Sequence, residues 1–255
     1  MLQTKINKKK QWFLCAKPLL NPKLRLFCFP YAGGGSSIFR GWENGLNSDI
    51  ELHSAQLPGR EKRFMDTPCD SIEDILEGLL EAFKPFIGTP FALFGHSMGA
   101  LIAFELGRKL NQQFGETPIH LFVSGKGAPH LDNNHPPIYN LPYEEFIQKL
   151  FTLNGTPKEV LENRELMEMY EPLLRADFKV CDTYSYQEGA LLNCPITIFG
   201  GLQDTRISKK DLYDWKELVK GENRVFMLEG DHFFIHKQRD EILYHINEKL
   251  GLTVL

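Results

Sequence analysis

Ser97 stands in Gly95-His96-Ser97-Met98-Gly99, a G-x-S-x-G between a short apolar stretch, Phe91 to Phe94, and a helix-like one, Ala100 to Leu110. A bare G-x-S-x-G is common, so the flanking segments carry the weight. A serine held on a sharp strand-to-helix turn presents its hydroxyl for nucleophilic attack, and side chains two positions before and after it would collide inside that turn. Gly95 and Gly99 remove those side chains. The pattern therefore points to Ser97 as a nucleophile, against the alternative of a structural glycine turn.

A serine hydroxyl is a poor nucleophile near neutral pH; it needs an imidazole to take its proton and an acid to hold that imidazole in the right tautomer. After an elbow of this kind the partners follow in the chain order acid, then histidine. Of the eight histidines, His232 in Gly230-Asp231-His232-Phe233-Phe234 follows an apolar stretch, Arg224 to Leu228, late in the chain. His96 is too close to Ser97 to fold back on it easily, and His236 and His245 fall in helix-like sequence. Asp204 follows another apolar stretch, Pro195 to Phe199, and precedes His232 as the order requires. Asp231 adjoins the base along the backbone, points poorly toward its Nδ1, and suits a turn.

An acyl-transfer oxyanion needs two N–H donors, one from the residue after the nucleophile and one from the loop after an early strand. Met98 supplies the first. The second belongs to Phe29-Pro30-Tyr31-Ala32-Gly33-Gly34-Gly35, where Tyr31 and Ala32 both remain candidates and Tyr31 is preferred. That glycine run lacks both G-x-G-x-x-G and a Gly-Lys-Ser/Thr ending, so a dinucleotide or phosphate cradle is the weaker reading.

The elements that must hold these residues alternate along the chain. Leu24 to Phe29, Phe91 to Phe94, His120 to Ser124, Pro195 to Phe199 and Arg224 to Leu228 read as buried strands, each leading into glycine or polar turn residues. Helix-like segments separate them, the signature of a mainly parallel sheet flanked by helices, with reactive groups in the loops at the carboxyl ends of the strands. From Asp132 to Tyr186 no good strand occurs; Tyr143 to Phe151, Pro157 to Glu162 and Glu165 to Phe178 have helical periodicity. The expectation is an α/β-hydrolase fold with a core over 21–131 and 187–255, an inserted helical lid over 132–186 and an N-terminal extension over 1–20. A chain of 255 residues suits one such domain.

A formal charge of -4 gives no reason to expect nucleic acid as a partner. The basic run Lys5, Lys8, Lys9 and Lys10 reads as a solubilising tail, no apolar h-region follows it, and no stretch is long enough to cross a bilayer. Cys15, Cys28, Cys69, Cys181 and Cys194 include no C-x-x-C pair and are odd in number, which suits free thiols in a reducing cytoplasm.

Five ordered motifs together resemble the type II thioesterases that accompany polyketide synthases and nonribosomal peptide synthetases. They are Leu26 to Gly34, Leu57-Pro58-Gly59-Arg60-Glu61, Phe94 to Gly99, Leu174-Arg175-Ala176-Asp177-Phe178 and Gly230 to Phe234; the resemblance runs from about Trp12 to the C-terminus, and vertebrate medium-chain fatty-acid thioesterases share the pattern. The resemblance implies hydrolysis of acyl groups from the phosphopantetheine arm of an acyl or peptidyl carrier protein, with Ser97, Asp204 and His232 as the catalytic trio. No metal or cofactor is then required, and a cytoplasmic monomer that meets its carrier protein transiently is expected. Tyr31 stands where many members have histidine or another residue. Arg60 and Arg175 belong to shared motifs, yet are read as structural. A carboxylesterase, a chain-releasing medium-chain thioesterase, a cyclising acyltransferase and a binding protein on the same scaffold are the alternatives.

Overall fold

The computed structural model describes residues 11–131 and 135–251; the lysine run and Asp132 lie outside them. Seven strands form one sheet in the order β1 (Phe13–Leu14), β3 (Ile50–Ala55), β2 (Leu24–Phe29), β4 (Phe91–His96), β5 (His120–Ser124), β6 (Ile196–Gly201) and β7 (Asn223–Leu228). β1 pairs antiparallel with β3 at the edge, and every other pairing is parallel.

Successive side chains of a strand point to opposite faces, so a strand covered on both sides must be apolar throughout. In β2, Phe27 and Phe29 enter one layer, with α1 (Ile72–Phe83) and α2 (Met98–Phe114), while Leu24, Leu26 and Cys28 enter the other, with Trp42 and α7 (Arg239–Gly251). This is the doubly covered sheet expected from the five apolar stretches.

Three elements lie outside the stretches named from the sequence. β3 is buried along its length, yet Glu51, His53 and Ser54 interrupt its apolar pattern. Their polarity is satisfied only in three dimensions: Glu51 accepts the Leu19 N–H (2.8 Å) and bonds His53 Nε2 (2.7 Å), with Arg25 at 3.3 Å. β1 is two residues long. α1 is an amphipathic helix capped by the Ser71 side chain, which accepts the Asp74 N–H.

Between β5 and β6 the chain forms α3 (Tyr143–Leu153), α4 (Lys158–Leu161) and α5 (Arg164–Thr183), close to the expected helical stretches. They build a small apolar cluster of their own around Phe146, Leu150, Leu161, Met167 and Leu174. α6 (Lys209–Tyr213) follows β6.

Candidate active site

β4 runs into α2 through Ser97, whose backbone at φ 55°, ψ -116° lies outside the comfortable regions for a non-glycine residue. The turn is so tight that a Cβ on Gly95 would come within 1.9 Å of the Gly99 carbonyl oxygen, and one on Gly99 within 2.0 Å of the Phe29 carbonyl oxygen. The Ser97 N–H donates to the Ser124 carbonyl at 2.8 Å, fixing the strained residue to the adjacent strand.

The three side chains selected from the sequence converge. His232 Nε2 lies 3.0 Å from Ser97 Oγ, and His232 Nδ1 lies 2.7 Å from Asp204 Oδ2. A carboxylate only accepts, so Nδ1 carries the proton and Nε2 is left to accept from the serine hydroxyl. Burial pushes the His232 pKa down, the hydrogen bond to Asp204 works against that, and the Arg206 charge adds to the lowering; the net displacement is below the ordinary histidine value. Burial, the largest single influence, would raise Asp204, but the hydrogen bond and charge of His232 together with the amide and charge of Arg206 hold the carboxyl below its usual range. Asp231 turns away: its carboxylate accepts the Phe233 N–H (2.9 Å).

Met98 is the first residue of α2, and its amide, like those of Tyr31 and Ala32, finds no acceptor among the described residues. The first N–H groups of a helix have no partner within it. Tyr31, Ala32, Ser97, His232 and Phe233 line one cavity with Leu150, Leu153, Leu174 and Phe178. The Tyr31 hydroxyl bonds His236 Nε2 at 2.9 Å, away from the serine.

Two supports have no signature in the local sequence. His96 is fully buried, which drives its pKa well down and keeps it neutral. Its Nε2 lies 2.8 Å from the His232 carbonyl, so Nε2 is the protonated nitrogen, and Nδ1 accepts from the Ser124 hydroxyl at 2.8 Å. The residue before Ser97 thus ties down the backbone of the histidine that bonds Ser97. Asp177, also fully buried, receives both guanidinium arms of Arg60 at 2.8 Å and the Gly33 N–H at 2.7 Å. Arg60 therefore fixes α5 to the glycine loop, and Arg175 bonds Glu171 and the Tyr139 and Leu141 carbonyls. Both arginines make internal bonds of the kind a structural role requires. Arg60 and Asp177 stand in two of the five shared motifs, which is the signal that links them.

The thioesterase domain model matches residues 24–250. The chain belongs to the thioesterase family. It is 44% identical over 251 residues to the gramicidin S biosynthesis protein GrsT of Aneurinibacillus migulanus, covering 98% of each chain. It is 42% identical to the linear gramicidin dehydrogenase LgrE of Brevibacillus parabrevis, over 94% of this chain and 92% of that one. Among solved structures, the type II thioesterase BorB from the borrelidin biosynthetic cluster superposes with a TM-score of 0.86 at 32% identity, covering 94% of this chain and 98% of BorB. The doubly covered, mainly parallel sheet of this thioesterase is the α/β-hydrolase fold. Among the described residues, no helix is long and apolar enough to cross a membrane.

Proposed function

We propose that this thioesterase hydrolyses acyl groups from the phosphopantetheine arm of acyl or peptidyl carrier proteins, removing aberrant or stalled chains in polyketide or nonribosomal peptide synthesis. The observation that carries the reading is the Ser97–His232–Asp204 hydrogen-bonded series at the edge of a cavity lined by apolar side chains. BorB's origin in a biosynthetic cluster supports the setting.

In the proposed reaction His232 takes the Ser97 proton and the serine oxygen attacks the thioester carbonyl. The Met98 amide, with that of Tyr31 or Ala32, holds the oxyanion. The pantetheine thiol leaves with the proton from His232, and water activated by the same histidine releases the acid. The three side chains require no metal or cofactor, and the pantetheine belongs to the substrate. We read the enzyme as a cytoplasmic monomer.

The free cavity beside Ser97 is only about 40 Å³, far below the several hundred Å³ of a usual ligand pocket. An acyl chain longer than a few carbons needs more room. This supports treating the helices between β5 and β6 as a lid that opens. Hydride transfer, suggested by the LgrE name, has less support from the residues. The glycine run after β2 leads into a four-residue 3₁₀ turn, Ser36–Phe39, instead of the long helix whose N-terminus takes a dinucleotide pyrophosphate.

The test is free-thiol release from matched acyl-pantetheine thioesters, acyl-carrier proteins and oxygen esters, with Ser97→Ala beside the wild type. Thioester turnover lost in the variant is expected; a preference for oxygen esters would favour an esterase. Because His232 must be neutral to accept the proton and burial depresses its pKa, kcat/KM is full at neutral pH and falls as pH drops through a midpoint below about 6.5. A profile flat from about pH 5 to about pH 8 would contradict the assignment of the base.

A further inference from the structure

A second cavity, of about 470 Å³, adjoins the first, and Arg206 lines both. Lys126 and His130 line it as well. Lys126 stands in the loop at the carboxyl end of β5 and Arg206 in the loop at the carboxyl end of β6, two strands paired side by side. The crevice outside such strand ends is where parallel α/β sheets bind ligands.

The backbone beneath these cations is fixed. The Lys126 carbonyl accepts the Trp215 indole N–H at 2.7 Å, and the flanking Gly125 and Ala128 amides donate to the Phe199 and Asp211 carbonyls at 2.9 and 3.0 Å. The Arg206 amide donates to Asp204 Oδ1 at 2.9 Å. The charged ends, in contrast, are sparsely partnered among the described residues. The Arg206 guanidinium, with five N–H donors, makes one hydrogen bond among the described residues, 3.5 Å long, to the Leu153 carbonyl, and lies over the Phe233 ring at 5.4 Å. Burial lowers its pKa, with Asp204 and Asp231 acting against that. The Lys126 ammonium has no hydrogen bond or ion pair among the described residues. His130 Nδ1 is buried without a partner among the described residues, while its Nε2 lies 3.3 Å from Glu217.

Among the described residues no nearby acid pairs directly with Lys126 or Arg206, although the Asp182 charge reaches Lys126 and those of Asp204 and Asp231 reach Arg206; the Asp182 carboxylate accepts the Ile138 and Tyr139 N–H groups. Asp211 Oδ2 accepts the Ser208 N–H at the cap of α6, and Glu188 sits at the exposed rim. A half-desolvated guanidinium and a free ammonium facing one crevice suit a phosphate oxyanion, which both recognise strongly.

We propose that Lys126 and Arg206 form a phosphate subsite at the entrance to the Ser97 cavity, which takes the phosphodiester of the phosphopantetheine arm while the thioester reaches the serine. This rests on the carrier-protein reading above and adds to it the residues that hold the arm. Acyl-pantetheine lacks the phosphate and acyl-phosphopantetheine carries it, so the ratio of their kcat/KM values isolates the contact. Taking that ratio within one enzyme also cancels any effect of the substitution on His232.

The wild type should prefer the phosphorylated substrate by about tenfold, one good charge-assisted contact. The preference should fall to near one in Lys126→Gln and in Arg206→Gln, survive in Lys126→Arg, and shrink with added salt. A wild type indifferent to the phosphate, or variants that lose equally on both substrates, would overturn the subsite while leaving thioesterase activity established. Absence of turnover on every thioester would instead strike the function itself. If Arg206→Gln changed the preference between malonyl- and acetyl-pantetheine and left the phosphate preference alone, Arg206 would read the acyl group and the proposal would fail. An equal loss in Lys126→Gln on acyl-carrier protein and on acyl-phosphopantetheine supports the carrier-borne arm as occupant; a loss confined to acyl-coenzyme A would overturn that occupant.

Discussion

The carboxyl edge of the sheet and the helices that roof it are held in different ways. At the edge, every group of the site is fixed more than once: Ser97 by its elbow and the Ser124 carbonyl, His232 by Asp204 through its ring and by His96 through its backbone. Over the cavity, α3 and the turn after it reach the edge through two long hydrogen bonds, Asn154 to Asp231 at 3.3 Å and Arg206 to Leu153 at 3.5 Å, and through Gly155 lying against the Phe233 ring. α5 belongs to both regions. Its early part joins the small roof cluster and exposes Met169 and Tyr170, whereas Asp177 and Lys179 anchor its later part to Arg60 and Asp70. In the proposed reaction, chemistry that depends on ångström placement sits on the over-determined region, and the weakly held region is where the proposed lid would make room for substrate.

The comparison breaks most readily at the edge. Asp204→Asn should preserve the fold and lower kcat by about 10⁴-fold, because an amide can present its N–H to Nδ1 and stabilise the wrong tautomer. A loss of less than tenfold would mean that the imidazole is positioned without Asp204. Next in size, Asp177→Asn leaves the buried Arg60 charge unpaired and should cost about 3–5 kcal/mol of stability, read as a lower midpoint in urea. Arg60→Met combined with Asp177→Leu should be less destabilising than Asp177→Asn alone; an equal or larger loss in the double variant would show that the desolvated charge is not the cause.

The smallest effect concerns motion. In hydrogen exchange, amides of α3 and α4 should exchange faster than those of β4 and β5, with the segment of α5 around Asp177 in between. Equal protection of 143–161 and the central strands would end the proposal of a moving lid.

Much of the edge is legible in the sequence because its signals are local. Ser97, Asp204 and His232 each follow an apolar strand and meet a fixed chain order, so neighbours along the sequence mark them. The supports are not local. His96 finds its partners 28 and 136 residues away, and Arg60 meets Asp177 across 117 residues. A buried histidine beside a nucleophile looks in sequence like an inert neighbour. β3 is hidden for a related reason: its polar residues are neutralised by β2 and by the Leu19 amide, which the pattern of β3 alone does not disclose. The Tyr31 and Ala32 amides are both without acceptors among the described residues, so the fold offers either to the proposed oxyanion.

The central claim is that Ser97 carries the acyl group between thioester and water. It is tested most directly by mixing enzyme with acyl-pantetheine, quenching in acid within the first turnover, and locating the acyl mass by peptide mass spectrometry. An acyl adduct on Ser97 that decays as free acid appears, and that is absent from Ser97→Ala together with turnover, is the result this account predicts. Turnover persisting in Ser97→Ala, or an adduct on another residue, would contradict it.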